Sequence, residues 1–274
     1  MLGHVVLREL ASKPELSVTG TIRSASSARL LPDALQQRLI AGVDVEHADS
    51  LLSAFAIAKP HFVINCVGLV KQMSNADDPL AALPVNTIFP HRLSRLCAVA
   101  GARLIHISTD CVFSGSRGMY VETDPSDATD LYGRSKFPGE VDTPHAITLR
   151  TSIIGHELSG AHGLLEWFLK QNTPVKGYRR AIFTGLPTVE LARAIRDFVL
   201  PHPEITGVYH VAAAPISKFD LLTLFAREYD RSIPIVPDDE LQIDRSLNAE
   251  RFHAATGYVA PPWLELVRRM RESQ

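Results

Sequence analysis

The feature that most constrains this chain is an alternation of short apolar runs with helical stripes. "LSVTGTI" (residues 16–22), "FVINCVG" (62–68), "RLIHIS" (103–108), "AITLRTS" (146–152) and "GVYHVAA" (207–213) read as strands. Several are apolar at consecutive positions, as strands are when helices cover both faces of their sheet. Between the second and third runs, Leu93, Leu96, Cys97 and Ala100 recur at i, i+3, i+4 and i+7, the stripe of an amphipathic helix. The alternation predicts an α/β fold with a doubly wound parallel sheet. With 274 residues, 46% of them hydrophobic, the chain can bury one large core and carry a smaller lobe beside it. Beyond Ile154 the alternation loosens and prolines from Pro174 to Pro262 punctuate it, which predicts that the smaller lobe is C-terminal and irregular.

The opening stretch "MLGHVVLREL" places Leu2, Val5, Val6 and Leu10 at helical spacing, with Gly3 at the start. In a dinucleotide-binding βαβ unit such a helix follows a buried strand and a glycine-rich turn. No strand precedes it here. The expectation is a sheet whose first strand is missing, in a chain truncated at its N-terminus by roughly ten residues relative to such a unit.

The formal net charge of −2 gives no reason to expect nucleic acid or an anionic membrane as partner. No apolar run reaches the length of a membrane span and no signal-peptide layout is visible, so a cytoplasmic protein is expected. Cys66, Cys97 and Cys111 are odd in number and far apart. They suggest a reducing compartment, with no disulfide framework and no metal site.

Ligands of doubly wound sheets bind beyond the carboxyl ends of the strands. One such end carries chemistry: the run at 103–108 leads into "STDCVFSG", and "YGRSK" follows at Tyr132 to Lys136. A Tyr and a Lys four apart lie on one helix face. A nearby ammonium favours the phenolate, so Lys136 is expected to lower the Tyr132 pKa from about 10 and make it a proton donor near neutral pH. The Thr109 hydroxyl, at the strand end, would bind the same substrate oxygen. Hydride delivery to a carbonyl requires such a set: a proton donor, an orienting hydroxyl, and a lysine that tunes the donor and holds a ribose.

"STDCVFSG", the "Y-x-E-x-D" of Tyr120, Glu122 and Asp124, "YGRSK" and "LRTSIIG" together resemble the extended short-chain dehydrogenase/reductases. The branch most similar is that of the dTDP-4-dehydrorhamnose reductases and related nucleotide-sugar reductases. "IFTGLPTVELARAI" (182–195), "GVYHVAAAPISKFDLLTLFA" (207–226) and "DRSLNAERF" (244–252) extend the resemblance over nearly the whole chain. The resemblance implies a catalytic set of Thr109, Tyr132 and Lys136. It implies a Rossmann domain at 1–155, continued by about 184–213, and a substrate lobe from 156–183 and 214–274. The related dehydratases carry Thr-Asp-Glu at the first site; here Cys111 stands where the Glu would be, which disfavours dehydration.

The same resemblance assigns cofactor positions. "MLG" corresponds to the end of the phosphate turn, so Leu2 and Gly3 would offer backbone N–H groups to a pyrophosphate. Arg23 follows the second strand where an acid would select NADH, which favours NADPH with NADH still possible. Asp44 and Val45 match an adenine-edge segment. Val67 and Gly68 match the backbone approach to the cofactor, and Thr151 and Ser152 fall on the nicotinamide side. Asn86 matches an asparagine near the site, with a helix N-cap as the other reading.

On the substrate side, Asp110, Cys111, His162, Arg179 and Arg245 are the candidates. A nucleotide diphosphate needs cationic forks, and Arg179, Arg180 and Arg245 lie in segments that form the substrate lobe. Two alternatives stay open. GDP-fucose synthases place a Cys two residues after the catalytic hydroxyl and pair it with a His opening a later helix, as Cys111 and His162 would be. The regulatory subunit of methionine adenosyltransferase resembles the same branch without being the catalyst. The principal expectation is NAD(P)H-dependent reduction of a keto group on a nucleotide-activated deoxysugar, by a protein that can form a homodimer.

Overall fold

The computed structural model describes residues 1–71 and 76–274. In chain order the elements are α1 (Leu2–Ala11), β1 (Gly20–Ile22), α2 (Asp33–Gln36), β2 (Leu39–Ala41), α3 (Ala48–Ala58), β3 (Phe62–Asn65), α4 (Pro79–Leu83), α5 (Phe89–Ala100), β4 (Arg103–Thr109), α6 (Leu131–Lys136), β5 (Ala146–Thr151), β6 (Ile153–Ile154), α7 (Leu164–Leu169), β7 (Val175–Tyr178), β8 (Ala181–Phe183), β9 (Leu186–Pro187), α8 (Thr188–Ala194), β10 (Gly207–His210), β11 (Ile216–Ser217), α9 (Lys218–Glu228), β12 (Ile235–Asp238), β13 (Ile243–Asp244), α10 (Glu250–Thr256) and α11 (Trp263–Glu272). The fold is α/β with parallel sheets, as the alternation requires.

The central sheet has the order β10-β5-β4-β3, with every pair parallel. Parallel neighbours need helical crossovers, and these cover both faces. Strand β4 shows the consequence residue by residue. Leu104 packs with Phe89, Leu93 and Cys97 of α5 on one face. Ile105 joins Leu2, Val5, Val6 and Leu10 of α1 and Leu191 and Ile195 after β9 on the other. The period of two in a strand sends successive side chains to opposite faces, so both faces must be apolar. Of the Leu93, Leu96, Cys97 and Ala100 stripe, Leu93 and Cys97 are buried.

Strands β1 and β2 form a separate parallel pair, not hydrogen-bonded to the central sheet among the described residues. Helix α1 lies across the break. Its Val5, Val6 and Leu10 belong to the central core, while Leu7 packs with Leu31 and Leu35 beside Leu39 of β2. Strand β2 lies in a segment that the apolar runs did not mark. It is short and half-exposed, so it lacks the continuous apolar signature of a buried strand.

The helix before β4 contains an irregularity that matters for the site. From Pro79 to Ala100 the chain is helical throughout, but Pro84–Ile88 makes a π turn between α4 and α5. Pro84 lacks an N–H and its ring crowds the preceding turn, so the regular i to i−4 ladder cannot pass through it. Asn86 sits in that widened turn, fully inside the protein. The C-terminal part adds a parallel pair, β7 with β12, and a three-stranded sheet in the order β11-β8-β13. No described helix is long and apolar enough to cross a membrane.

Candidate active site

Thr109 is the last residue of β4 and its side chain turns the chain. Its Oγ1 accepts the Cys111 N–H at 3.1 Å and donates to Asp110 Oδ1 at 3.2 Å, closing a tight turn over Asp110–Val112. Helix α6 begins opposite that turn. Asp130 caps it by accepting the Gly133 N–H at 2.8 Å, and Lys71 holds the other carboxylate oxygen at 2.8 Å. A Cβ at Gly133 would run into the Cys111 carbonyl oxygen. Only glycine lets the helix approach so closely, and that approach brings the Tyr132 hydroxyl beside Thr109. One turn further, Lys136 Nζ donates to the Ile107 carbonyl oxygen at 3.0 Å. Thr109, Tyr132 and Lys136 are therefore brought together.

Asn86 supports this group from behind. Its Oδ1 accepts the Leu69 N–H at 2.9 Å, and its Nδ2 donates to the Leu69 carbonyl at 3.0 Å and to Ser135 Oγ at 3.1 Å. The π turn thus ties the segment after β3 to α6. The N-cap reading of Asn86 is replaced by this role, since its amide spans two other segments rather than its own helix start.

Burial sets the electrostatics. The Lys136 ammonium loses solvation and its pKa falls to about 8, with Glu140 opposing the fall. Burial also raises the Tyr132 pKa above its ordinary value, reinforced by Cys111 and Asp110 beside it and opposed by the nearby Thr109 hydroxyl. This corrects the expectation that Lys136 lowers the Tyr132 pKa. The cost of burying a phenolate dominates the net shift. Burial pushes the Cys111 thiol up to about 12 and raises the Asp110 carboxyl, which Arg245 pulls back down.

The expected cofactor positions fall into two groups. Gly68 lies against the catalytic set: a Cβ there would sit 3.8 Å from Lys136 Nζ and 3.5 Å from Asn86 Oδ1. Val67 beside it is 39% exposed, its N–H taken by Asn65 Oδ1 at 3.0 Å. Thr151 is buried opposite Thr109 in the β4–β5 register, with Ser152 next to it. Gly3 is exposed at the start of α1, where a Cβ would meet Cys66 at 3.7 Å, and the Leu2 side chain is buried in the core. No side chain caps this helix start, so its first N–H groups are left to other acceptors. Arg23 is exposed just beyond β1. Asp44 accepts the Glu46 N–H at 3.0 Å and faces His47, and Val45 packs toward α3 and α5. Glycine positions that a Cβ would fill, free helix-start amides and a buried ammonium together fit a dinucleotide.

Three residues expected on the substrate side, Arg179, Arg180 and His162, make their contacts elsewhere. Arg179 is committed to an exposed ion pair with Asp239. Arg180 follows it into the exposed turn between β7 and β8. His162 lies in an exposed loop whose backbone Glu157 holds, with its ring against Gly160. Cys111 meets Arg245 instead, whose Nη1 lies 3.8 Å from Sγ while Nε donates to the Phe113 carbonyl at 2.7 Å. Reading the sequence alone missed Lys218, the first residue of α9, which lies in electrostatic reach of Asp110, Cys111 and Arg245.

The "Y-x-E-x-D" residues fasten the segment that follows the Thr109 turn. Tyr120 stacks on Phe113 at 4.2 Å, Glu122 Oε1 accepts the His210 N–H at 2.8 Å, and Asp124 pairs with Arg117.

Comparison with known proteins places this geometry. The model of the RmlD substrate binding domain family matches residues 1–270. The dTDP-4-dehydrorhamnose reductase of Mycobacterium tuberculosis is 38% identical over 99 residues, 33% of this chain and 33% of that protein. In that match the chain spans about a third of its relative's length. The probable low-salt glycan biosynthesis reductase Agl14 of Haloferax volcanii is 30% identical over 225 residues, 78% of this chain and 71% of that protein. Among solved structures, the dTDP-4-dehydrorhamnose reductase of Bacillus anthracis in complex with NADP superposes with a TM-score of 0.75 at 18% identity, covering 91% of this chain and 95% of that one. At that identity the likeness concerns the fold.

Proposed function

The chain belongs to the RmlD substrate binding domain family, and from that premise we propose that it reduces a keto group on a nucleotide-activated deoxysugar, with NADPH as the reductant. One observation carries this reading: Tyr132 lies beside Thr109 at the end of β4, with the Lys136 ammonium buried one helical turn away. We read residues 1–155 with about 184–213 as the dinucleotide-binding part, and 156–183 with 214–274 as the substrate lobe.

A reduced nicotinamide supplies hydride when bound. The chain's own residues supply the rest. Thr109 and Tyr132 converge on one substrate oxygen and fix the carbonyl. The raised Tyr132 pKa keeps the phenol protonated at neutral pH, so the proton is present when the oxygen gains charge. Lys136, charged below about pH 8, stabilises the phenolate left behind and is placed to hold ribose hydroxyls. Gly3 with the α1 N-terminus would receive the pyrophosphate, Gly68 the close backbone approach, and Arg23 a 2′-phosphate. Asp110, Cys111 and Arg245 line the substrate side.

The test is direct. Purified protein is mixed with NADPH and a dTDP-4-keto-6-deoxyhexose, and loss of NADPH absorbance is followed together with the sugar product. Turnover that requires both components supports the reading. Cofactor binding without any reduction would leave a binding protein and sink it.

A further inference from the structure

The three-stranded sheet β11-β8-β13 brings two cations together. Ser217 of β11 and Asp244 of β13 both sit opposite Ile182 of β8, one on each side. Lys218, which opens α9, and Arg245, just past β13, follow these two residues and lie within electrostatic reach of each other. Ser217 caps α9 by accepting the Asp220 N–H at 3.0 Å, which fixes where Lys218 begins the helix. Both cations lie in the neighbourhood of the turn that carries Thr109.

Neither cation is neutralised by contact. Arg245 donates to neutral acceptors, the Phe113 carbonyl and the Cys111 sulfur. Lys218 is half-buried and forms no ion pair with any described residue. Two carboxylates lie in reach: Asp110, buried and hydrogen-bonded by Thr109, and Asp130, which acts on Arg245 but is held by Lys71. With Asp130 paired to Lys71, Asp110 is the carboxylate left to Lys218 and Arg245 among the described residues and contacts neither, which leaves one positive charge in excess beside the reacting position. Removing a charge from water without a partner is costly, and burial accordingly lowers the Lys218 pKa. A site that leaves a cation in this state is built for an anion that arrives with a ligand.

We propose that Lys218, with Arg245, forms an anion subsite that receives a phosphate or carboxylate oxygen of the substrate next to the carbonyl being reduced. This rests on the reductase reading for the word substrate, but the subsite can be tested without turnover. Lys218 is thereby a specificity-determining residue, selecting substrates that carry negative charge near the reacting carbon.

Two probes separate the sources of the anion. Thymidine diphosphate presents phosphate without a sugar ring; glucuronate presents a carboxylate on a ring without phosphate. Their binding to the full chain is measured by calorimetry for wild type, Lys218→Met and Lys218→Arg. The expected result is a loss of about tenfold in affinity for one probe in Lys218→Met, largely restored in Lys218→Arg, with NADPH affinity unchanged. The affected probe names the anion. Unchanged affinity for both probes in Lys218→Met overturns the proposal, as does an equal loss for NADPH, which would mean a general structural defect. If the keto sugar is not reduced by wild type yet Lys218→Met loses the probe, the reductase reading fails and the anion subsite stands.

Discussion

Lys136 Nζ donates to the carbonyl oxygen of Ile107 at 3.0 Å, so the helix that carries the proton donor is tied to the strand that ends in Thr109. That bond fixes a buried ammonium two residues from the reacting position. Glu140 opposes the loss of its proton, while burial favours that loss and sets the pKa at about 8.

The first prediction follows from that value. In the proposed mechanism the charged form of Lys136 stabilises the phenolate that forms at Tyr132. Turnover should therefore fall as pH rises through about 8, while Tyr132, whose own pKa is raised, stays protonated throughout this range. The measurement is kcat against pH at saturating substrate. A profile that stays flat from about pH 7 to 9 would remove Lys136 from the chemical step.

Tyr132→Phe deletes the proton and leaves the ring. The phenol is buried against Thr109, so the helix should pack as before. NADPH affinity should change little, and kcat should drop by about 10²–10⁴-fold. Near-normal turnover in this variant would be incompatible with Tyr132 as the donor.

Arg23→Ala tests cofactor choice. Arg23 is exposed just past β1 and no acidic residue stands at the strand end. Its loss should weaken NADPH binding more than NADH binding, because only NADPH carries the 2′-phosphate. Fluorescence titration with both cofactors decides the point, and equal losses for the two would release Arg23 from this role.

Much of this arrangement was legible in the sequence because it depends on short-range rules. The α1 stripe, the apolar strand β4 and the Tyr132–Lys136 spacing each obey a local periodicity, and each is found where it was expected. Thr109 was readable because a strand end in a doubly wound sheet is a ligand-facing position. What was not legible depended on distant partners. The direction of the Tyr132 pKa shift reflects burial against Cys111 and Asp110, which no spacing reveals. Arg179 looked like a free fork until Asp239, on a neighbouring segment, was seen to hold it. The start of α9 could be read from the S-x-x-D of Ser217 and Asp220, but not that Lys218 would come within electrostatic reach of Arg245.

The last prediction concerns the buried pair behind the site. Arg150 of β5 makes two hydrogen bonds of 2.7 Å to Glu140, through Nε and Nη2, and both side chains are nearly inaccessible. Ser108 Oγ donates to Glu140 as well, at 2.7 Å, so the residue before Thr109 is fastened to the pair. The remaining Arg150 nitrogen faces His210 Nε2 and the Glu122 carbonyl, which links the pair to the Tyr120–Asp124 segment. Desolvating two charges offsets most of their attraction, so the intact pair adds little net stability. Removing one member is different, because it strands the other charge in the interior. Arg150→Met should thus cost about 3–5 kcal/mol in urea unfolding, far more than loss of an exposed ion pair such as Arg179 with Asp239. The double variant Arg150→Met, Glu140→Leu should recover much of that loss, since no charge is then left unpaired. If the double variant is as unstable as the sum of the two single ones, the stranded-charge explanation is wrong and the loss belongs to packing around β5.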